Sequence, residues 1–134
     1  MKRLLFFYIL MFFGCASYQL KINSPLIINA TKEKVFLESL KILQSREYFI
    51  KTADKESGFI NTEWKIKDNI LIGTRSKFEF ILTSVNEKQT ELIINPIAEM
   101  YNINEWQRLD KLDDRNIKVL NKIINEIKLN SESN

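Results

Sequence analysis

The sequence predicts an α+β fold: a two-layer sandwich in which an antiparallel sheet of four to five strands carries two helices on one face, in the order β-α-β-β-β-β-α. Three observations predict it. Apolar residues recur at helical spacing in two separate segments, near residues 31–46 and 104–129. Between them lie runs in which apolar and polar residues alternate with period two, punctuated by turn-forming clusters. A meander of such strands has one apolar face to bury, and two amphipathic helices are available to cover it. The chain has 134 residues and one cysteine. It is therefore sized for one domain, and it owes its stability to packing, since no intrachain disulfide can form.

The elements follow in order. Pro25 disfavours helix in the residue before it, and Leu26, Ile27 and Ile28 read as a short edge strand that stops at Asn29. Thr31 is placed to cap a helix, with Glu33 in its first turn where a carboxylate suits the helix dipole. Phe36, Leu40 and Leu43 form its apolar stripe, and Lys34, Glu38, Lys41 and Gln44 its wet face. Residues 48–53 turn to β-forming types, and Asp54-Lys55-Glu56-Ser57-Gly58 is a turn in which Gly58 can take a positive φ. Residues 59–66 read as one alternating strand, with Ile60, Thr62, Trp64 and Ile66 on a shared face. Trp64 and Trp106 are assigned to the core rather than to a binding surface.

Residues 67–75 are a loop or broken hairpin holding Ile70, Leu71 and Ile72. Residues 76–85 are the longest strand, with Phe78, Phe80 and Leu82 on one side. Asn86-Glu87-Lys88-Gln89 turns the chain into a strand over 90–97, in which Pro96 blocks one ladder hydrogen bond and so marks fraying or an edge. From Asn104 to about Leu129, Trp106, Leu109, Ile117, Leu120, Ile124 and Ile127 lie on one helical stripe that Asp113 interrupts. Residues 131–134 are a polar tail, so the domain spans residues 26–130.

The chain opens with a basic head, Met1-Lys2-Arg3, followed by an uncharged apolar run from Leu4 to Phe13 and then Gly14-Cys15. Ten apolar residues are too few to span a bilayer as a helix, which takes roughly 20. This is the layout of a secretory signal over residues 1–14. With its Gly-Cys end it resembles bacterial lipoprotein signals, in which cleavage leaves the cysteine as a lipidated first residue. That resemblance implies acylation of Cys15, a tether over residues 15–25 and a place in the bacterial cell envelope. Ala16 is not a retention-type aspartate, which by the family rule implies the outer membrane, facing the periplasm. Cleavage without lipid and retention of the leader are the other readings.

Composition also narrows the chemistry. Histidine is absent and the lone cysteine sits at the leader, which removes the commonest near-neutral base and the commonest thiol nucleophile. No nucleophile elbow or glycine-rich phosphate cradle occurs. Asp110 and Asp114, four apart on the expected C-terminal helix, are considered as metal ligands and set aside in favour of a solvated face. Glu99 and Glu105 flank the Tyr101 loop as polar contacts of low weight. Acidic residues alternate with basic ones, so nothing marks a nucleic-acid partner. No enzyme activity, cofactor or metal is expected. The candidate contact residues are the apolar ones in two loops, Ile70, Leu71 and Ile72, and Tyr101 and Ile103, weighed against simple capping of the core ends.

From the strand and Asn-Ala-Thr helix start at Ile28 through Leu43, and on into Asp54-Lys55-Glu56-Ser57-Gly58-Phe59-Ile60, the chain resembles helix-grip domains of small envelope lipoproteins. Such domains occur in the accessory lipoprotein of the outer-membrane β-barrel assembly machine. The resemblance implies a helix-grip-like, non-catalytic binding or assembly module. Its partners would be membrane lipid, through Cys15, and an envelope protein. A carrier or sensor of a small apolar ligand, held between helix and sheet, is the alternative.

Overall fold

The computed structural model describes residues 25–68 and 73–133. In chain order the elements are β1 (Leu26–Ile28), α1 (Lys32–Ser45), β2 (Ile50–Asp54), β3 (Phe59–Thr62), β4 (Lys65–Asp68), β5 (Gly73–Asn86), β6 (Gln89–Asn102), β7 (Glu105–Arg108) and α2 (Asp114–Glu132). The strands form one open antiparallel sheet in the order β1-β6-β5-β3-β2, with β4 also paired to β5 and β7 to β6. The two helices pack against each other and against the sheet. The two-layer α+β arrangement is as expected. The strand count is corrected from four or five to seven.

Both extra strands have a physical origin. Residues 59–66 do not run as one strand. Asn61 pairs with Glu79, but Lys65 pairs with Ser76, so four residues on one side answer three on the other. That single extra residue is a β-bulge at Glu63–Trp64, and it divides the run into β3 and β4. The second correction lies at the C-terminal segment, which is not one long helix from Asn104. Ile103 and Asn104 both hold positive φ, 42° and 76°, the pattern of a two-residue hairpin turn that matches sheet twist. The chain folds back as β7, pairing Trp106 with Tyr101 and Arg108 with Glu99. Asp113, which interrupts the helical stripe, is the N-cap of α2: its side chain accepts from the Asn116 N–H at 2.7 Å. At the other end α2 takes in Ser131 and Glu132 from the expected polar tail. Ser131 is buried, and Glu132 Oε1 accepts from the Asn29 N–H at 3.0 Å.

α1 starts where the sequence placed it, with Thr31 Oγ1 accepting from the Lys34 N–H. It ends in a Schellman motif: the Tyr48 N–H bonds Leu43 O, the Glu47 N–H bonds Gln44 O, and Glu47 occupies the left-handed position at φ 61°. Gly58 closes the β2–β3 turn at φ 77°. A Cβ there would lie 2.2 Å from Leu82 O, so only glycine fits.

The core sits between the layers. β5 gives Phe78, Phe80 and Leu82, and β6 gives Leu92 and Ile94; α1 contributes Val35, Phe36 and Leu43, and α2 contributes Leu120, Ile123 and Ile127. Each fully buried Leu or Ile contributes roughly 1.5–3 kcal/mol through removal from water. Pro96 pairs with Phe78 on its β5 side. On its other side it lies between the stretches of β6 that β1 and β7 cover, so no strand among the described residues requires the N–H it lacks.

Candidate functional site

The bulge at Glu63–Trp64 decides what the distal half of the sheet displays. Side chains alternate along a strand, so one inserted residue exchanges the two faces. Ile60 and Thr62 point to the helix layer and are fully buried. Beyond the bulge, Lys65 and Lys67 stand opposite Ser76 and Thr74 on that same inner side. Trp64 and Ile66 therefore go outward, and the shared face predicted for Ile60, Thr62, Trp64 and Ile66 does not exist. Thr62 repairs the interrupted ladder, with its Oγ1 accepting from the Phe78 N–H at 3.0 Å.

On the outer face, away from the helices, Arg75 is held between two indole rings. Its Cζ is 4.4 Å from the Trp64 ring centre and 4.2 Å from that of Trp106. Glu99 Oε2 accepts from Arg75 Nε at 2.7 Å and from Nη2 at 2.5 Å. Lys77 Nζ lies 5.3 Å over Trp64 and 3.4 Å from Glu79. Tyr101 packs on Trp106 at 5.3 Å between ring centres. Each guanidinium–ring contact contributes about 0.5–2 kcal/mol, more as water is excluded. The two tryptophans are thus not core residues. They clamp a cation on a sheet face over which no helix of the described residues lies. Nothing in the alternation of the sequence marks this, because the bulge that turns Trp64 outward has no composition of its own.

Beside this cluster, Phe49, Trp64 and Ile66, with Glu47, Glu63 and Lys65, line an open pocket of about 510 Å³. Phe49 is 77% exposed and Ile66 56% exposed. Of the contact residues expected from sequence, Tyr101 is 44% exposed and Ile103 87% exposed at the tip of the β6–β7 hairpin. Ile70, Leu71 and Ile72 lie outside the described residues, as does Cys15. Gly73, the first described residue after that segment, sits against Trp106 and Tyr101, at the same end of the sheet as the β6–β7 hairpin.

The acidic candidates are dispersed. Asp110 lies in the turn before α2 and Asp114 is the first residue of α2, so the shared helical face considered for them does not form. Glu99 is engaged by Arg75, and Glu105 Oε1 accepts from Gln107 Nε2 at 3.0 Å. Among the described residues no group of three or more His, Cys, Asp or Glu could hold a metal ion, and no helix is long and apolar enough to cross a membrane. On the inner side, burial pushes the Tyr48 phenol above its ordinary pKa of 10.0, opposed by the nearby Arg46 charge and a hydrogen bond with Ser76.

No family model matches this chain, and no curated protein matches it.

Proposed function

We propose that this chain is a membrane-anchored, non-catalytic binding module of the bacterial envelope, tied to the bilayer through acylated Cys15 and contacting an envelope protein with the hairpin end of its uncovered sheet face. The carrying observation is Ile103. A β-branched residue at positive φ is strained by the order of 1 kcal/mol or more, and this one is 87% exposed as well. Asn or Gly would suit that turn better, and among the described residues the fold gains nothing from an isoleucine there. A contact with a partner accounts for it. Its surroundings suit a protein: Trp, Tyr and Arg carry most of the energy at protein interfaces, and Trp64, Arg75, Tyr101 and Trp106 are gathered beside it. Arrangement supports the rest. β1 enters the sheet running away from the β6–β7 turn, since Leu26 pairs with Leu92 and Ile28 with Thr90. The long β5–β6 hairpin packed against α1, with α2 alongside α1, is what favours a helix-grip assignment for the domain.

Two measurements test this reading. Intact-mass analysis of the membrane fraction should find acyl mass on Cys15, and Cys15→Ser should leave that mass absent. A leader still attached in the wild type would sink the anchoring half. For the contact half, a photo-crosslinking residue in place of Ile66 should capture a discrete envelope protein in cells, whereas one in place of Lys128 on α2 should not. Ile103→Asn should weaken that capture and raise stability by about 1 kcal/mol. Loss of stability with unchanged capture would refute the contact.

A further inference from the structure

The inner face beyond the bulge is polar where a core would be apolar. Lys65 and Lys67 occupy both inward positions of β4 that follow the bulge, and the facing positions of β5 are Ser76 and Thr74. These residues open into two adjoining clefts of about 350 and 220 Å³ between the sheet, the end of α1 and the start of α2. Arg46 and Lys111 line the same clefts, as does Asn116 of the first turn of α2. Four lining cations, Arg46, Lys65, Lys67 and Lys111, face two lining carboxylates, Glu47 and Asp113. Of the two β4 lysines, Lys65 is ion-paired among the described residues and Lys67 is not. Asp113 is occupied as the α2 cap. Glu47 lies 3.8 Å from Lys65 with its side chain 85% exposed. Arg46 is tied to Glu126. Lys65 donates to Arg46 O at 2.8 Å and lies 4.7 Å over the Tyr48 ring, which fixes its ammonium at the cleft.

We propose that this cleft binds a phosphate group, carried by a small soluble molecule or by a lipid headgroup. Lys65 and Lys67 supply the charge, and the Ser76, Thr74 and Tyr48 hydroxyls supply neutral donors. The β-bulge is the device that makes the site, because without it both lysines would face outward and Ile66 would lie inside. The inference is independent of Cys15 and of the outer contact face.

Amide chemical shifts of the native protein in non-ionic detergent micelles test it. Glycerol phosphate is the soluble probe. Short-chain phosphatidylglycerol doped into the micelles, against short-chain diacylglycerol at the same level, is the lipid probe. The expected result is saturable shifts at Ser76 and Asn116 with glycerol phosphate, with phosphatidylglycerol, or with both. The first alone identifies a soluble phosphate and the second alone a headgroup. Lys65→Gln with Lys67→Gln should weaken binding at least about tenfold, and Lys77→Gln on the outer face should leave it unchanged. If the double variant does not fold, Lys67→Gln alone, at an exposed side chain, should weaken binding about threefold. No shift with either probe, shifts centred elsewhere, or equal weakening by Lys77→Gln overturns the proposal.

Discussion

Single residues in this protein take roles that their types alone do not announce. Tyr48 is an example: in sequence it opens a β-forming run, while in the fold its ring is buried against Phe78 at 5.0 Å between ring centres. Burial raises its pKa, so the folded state keeps the phenolic proton to higher pH than the unfolded chain does. The sign follows from linkage. Stability is intact below the unfolded value of 10.0 and declines as pH rises above it. The unfolding midpoint of the wild type should therefore fall more steeply above pH 10 than that of Tyr48→Phe, as followed by tryptophan fluorescence in denaturant. Equal alkaline slopes would show that the phenol does not carry the effect. Trp64 and Trp106 teach the same lesson from the other side. Their size favours a core assignment, yet each lies on the outer face against Arg75.

At the scale of elements, local chemistry was legible wherever it was self-contained. Thr31, the stripe of Phe36 and Leu43, and the Asp54–Gly58 turn specify α1 and the β2–β3 connection from short-range signals. The C-terminal segment was not so specified. Trp106 and Leu109 fit a helical stripe with Ile117 and Leu120, but periodicity is blind to a hairpin that pairs with a distant strand. The decisive signal was Asp113, which breaks the stripe because it caps the helix that starts after it. Asp113→Ala removes the acceptor for the Asn116 N–H and should cost about 1 kcal/mol, read from denaturant unfolding. Asn should restore most of the loss at that position. A cost well below this would mean that the first turn is held by packing through Leu112 and Ile117 instead.

For the molecule as a whole, stability rests in the layer between helices and sheet, while the outer face is left to other tasks. Leu120 is fully buried at the centre of that layer. Leu120→Ala should therefore cost about 2–5 kcal/mol, with the single cooperative transition retained, by thermal and denaturant unfolding. Substitutions confined to Phe49 or Ile66 should leave that transition nearly unmoved, because those side chains are mostly in water already. The division also explains why so much of the candidate site escaped sequence reasoning. Exposed apolar loops could be named from composition, as Tyr101 and Ile103 were. The sandwiched Arg75 and the inward lysines depend on strand register, which no local pattern reports.

By itself the sequence determined the two layers, the antiparallel meander, the Thr31 cap of α1, and the aliphatic and phenylalanine residues of α1, β5 and β6 that fill much of the core. Periodicity and capping are local, and burial of one face follows from them. Only the tertiary structure decided the faces of Trp64 and β4 and the fate of residues 104–112. One inserted residue at Glu63–Trp64 reverses the side chains as far as the end of β4, and one turn at Ile103–Asn104 trades helix for strand. Both outcomes are settled by pairing with β5 and β6, across separations in the chain that local preference does not span.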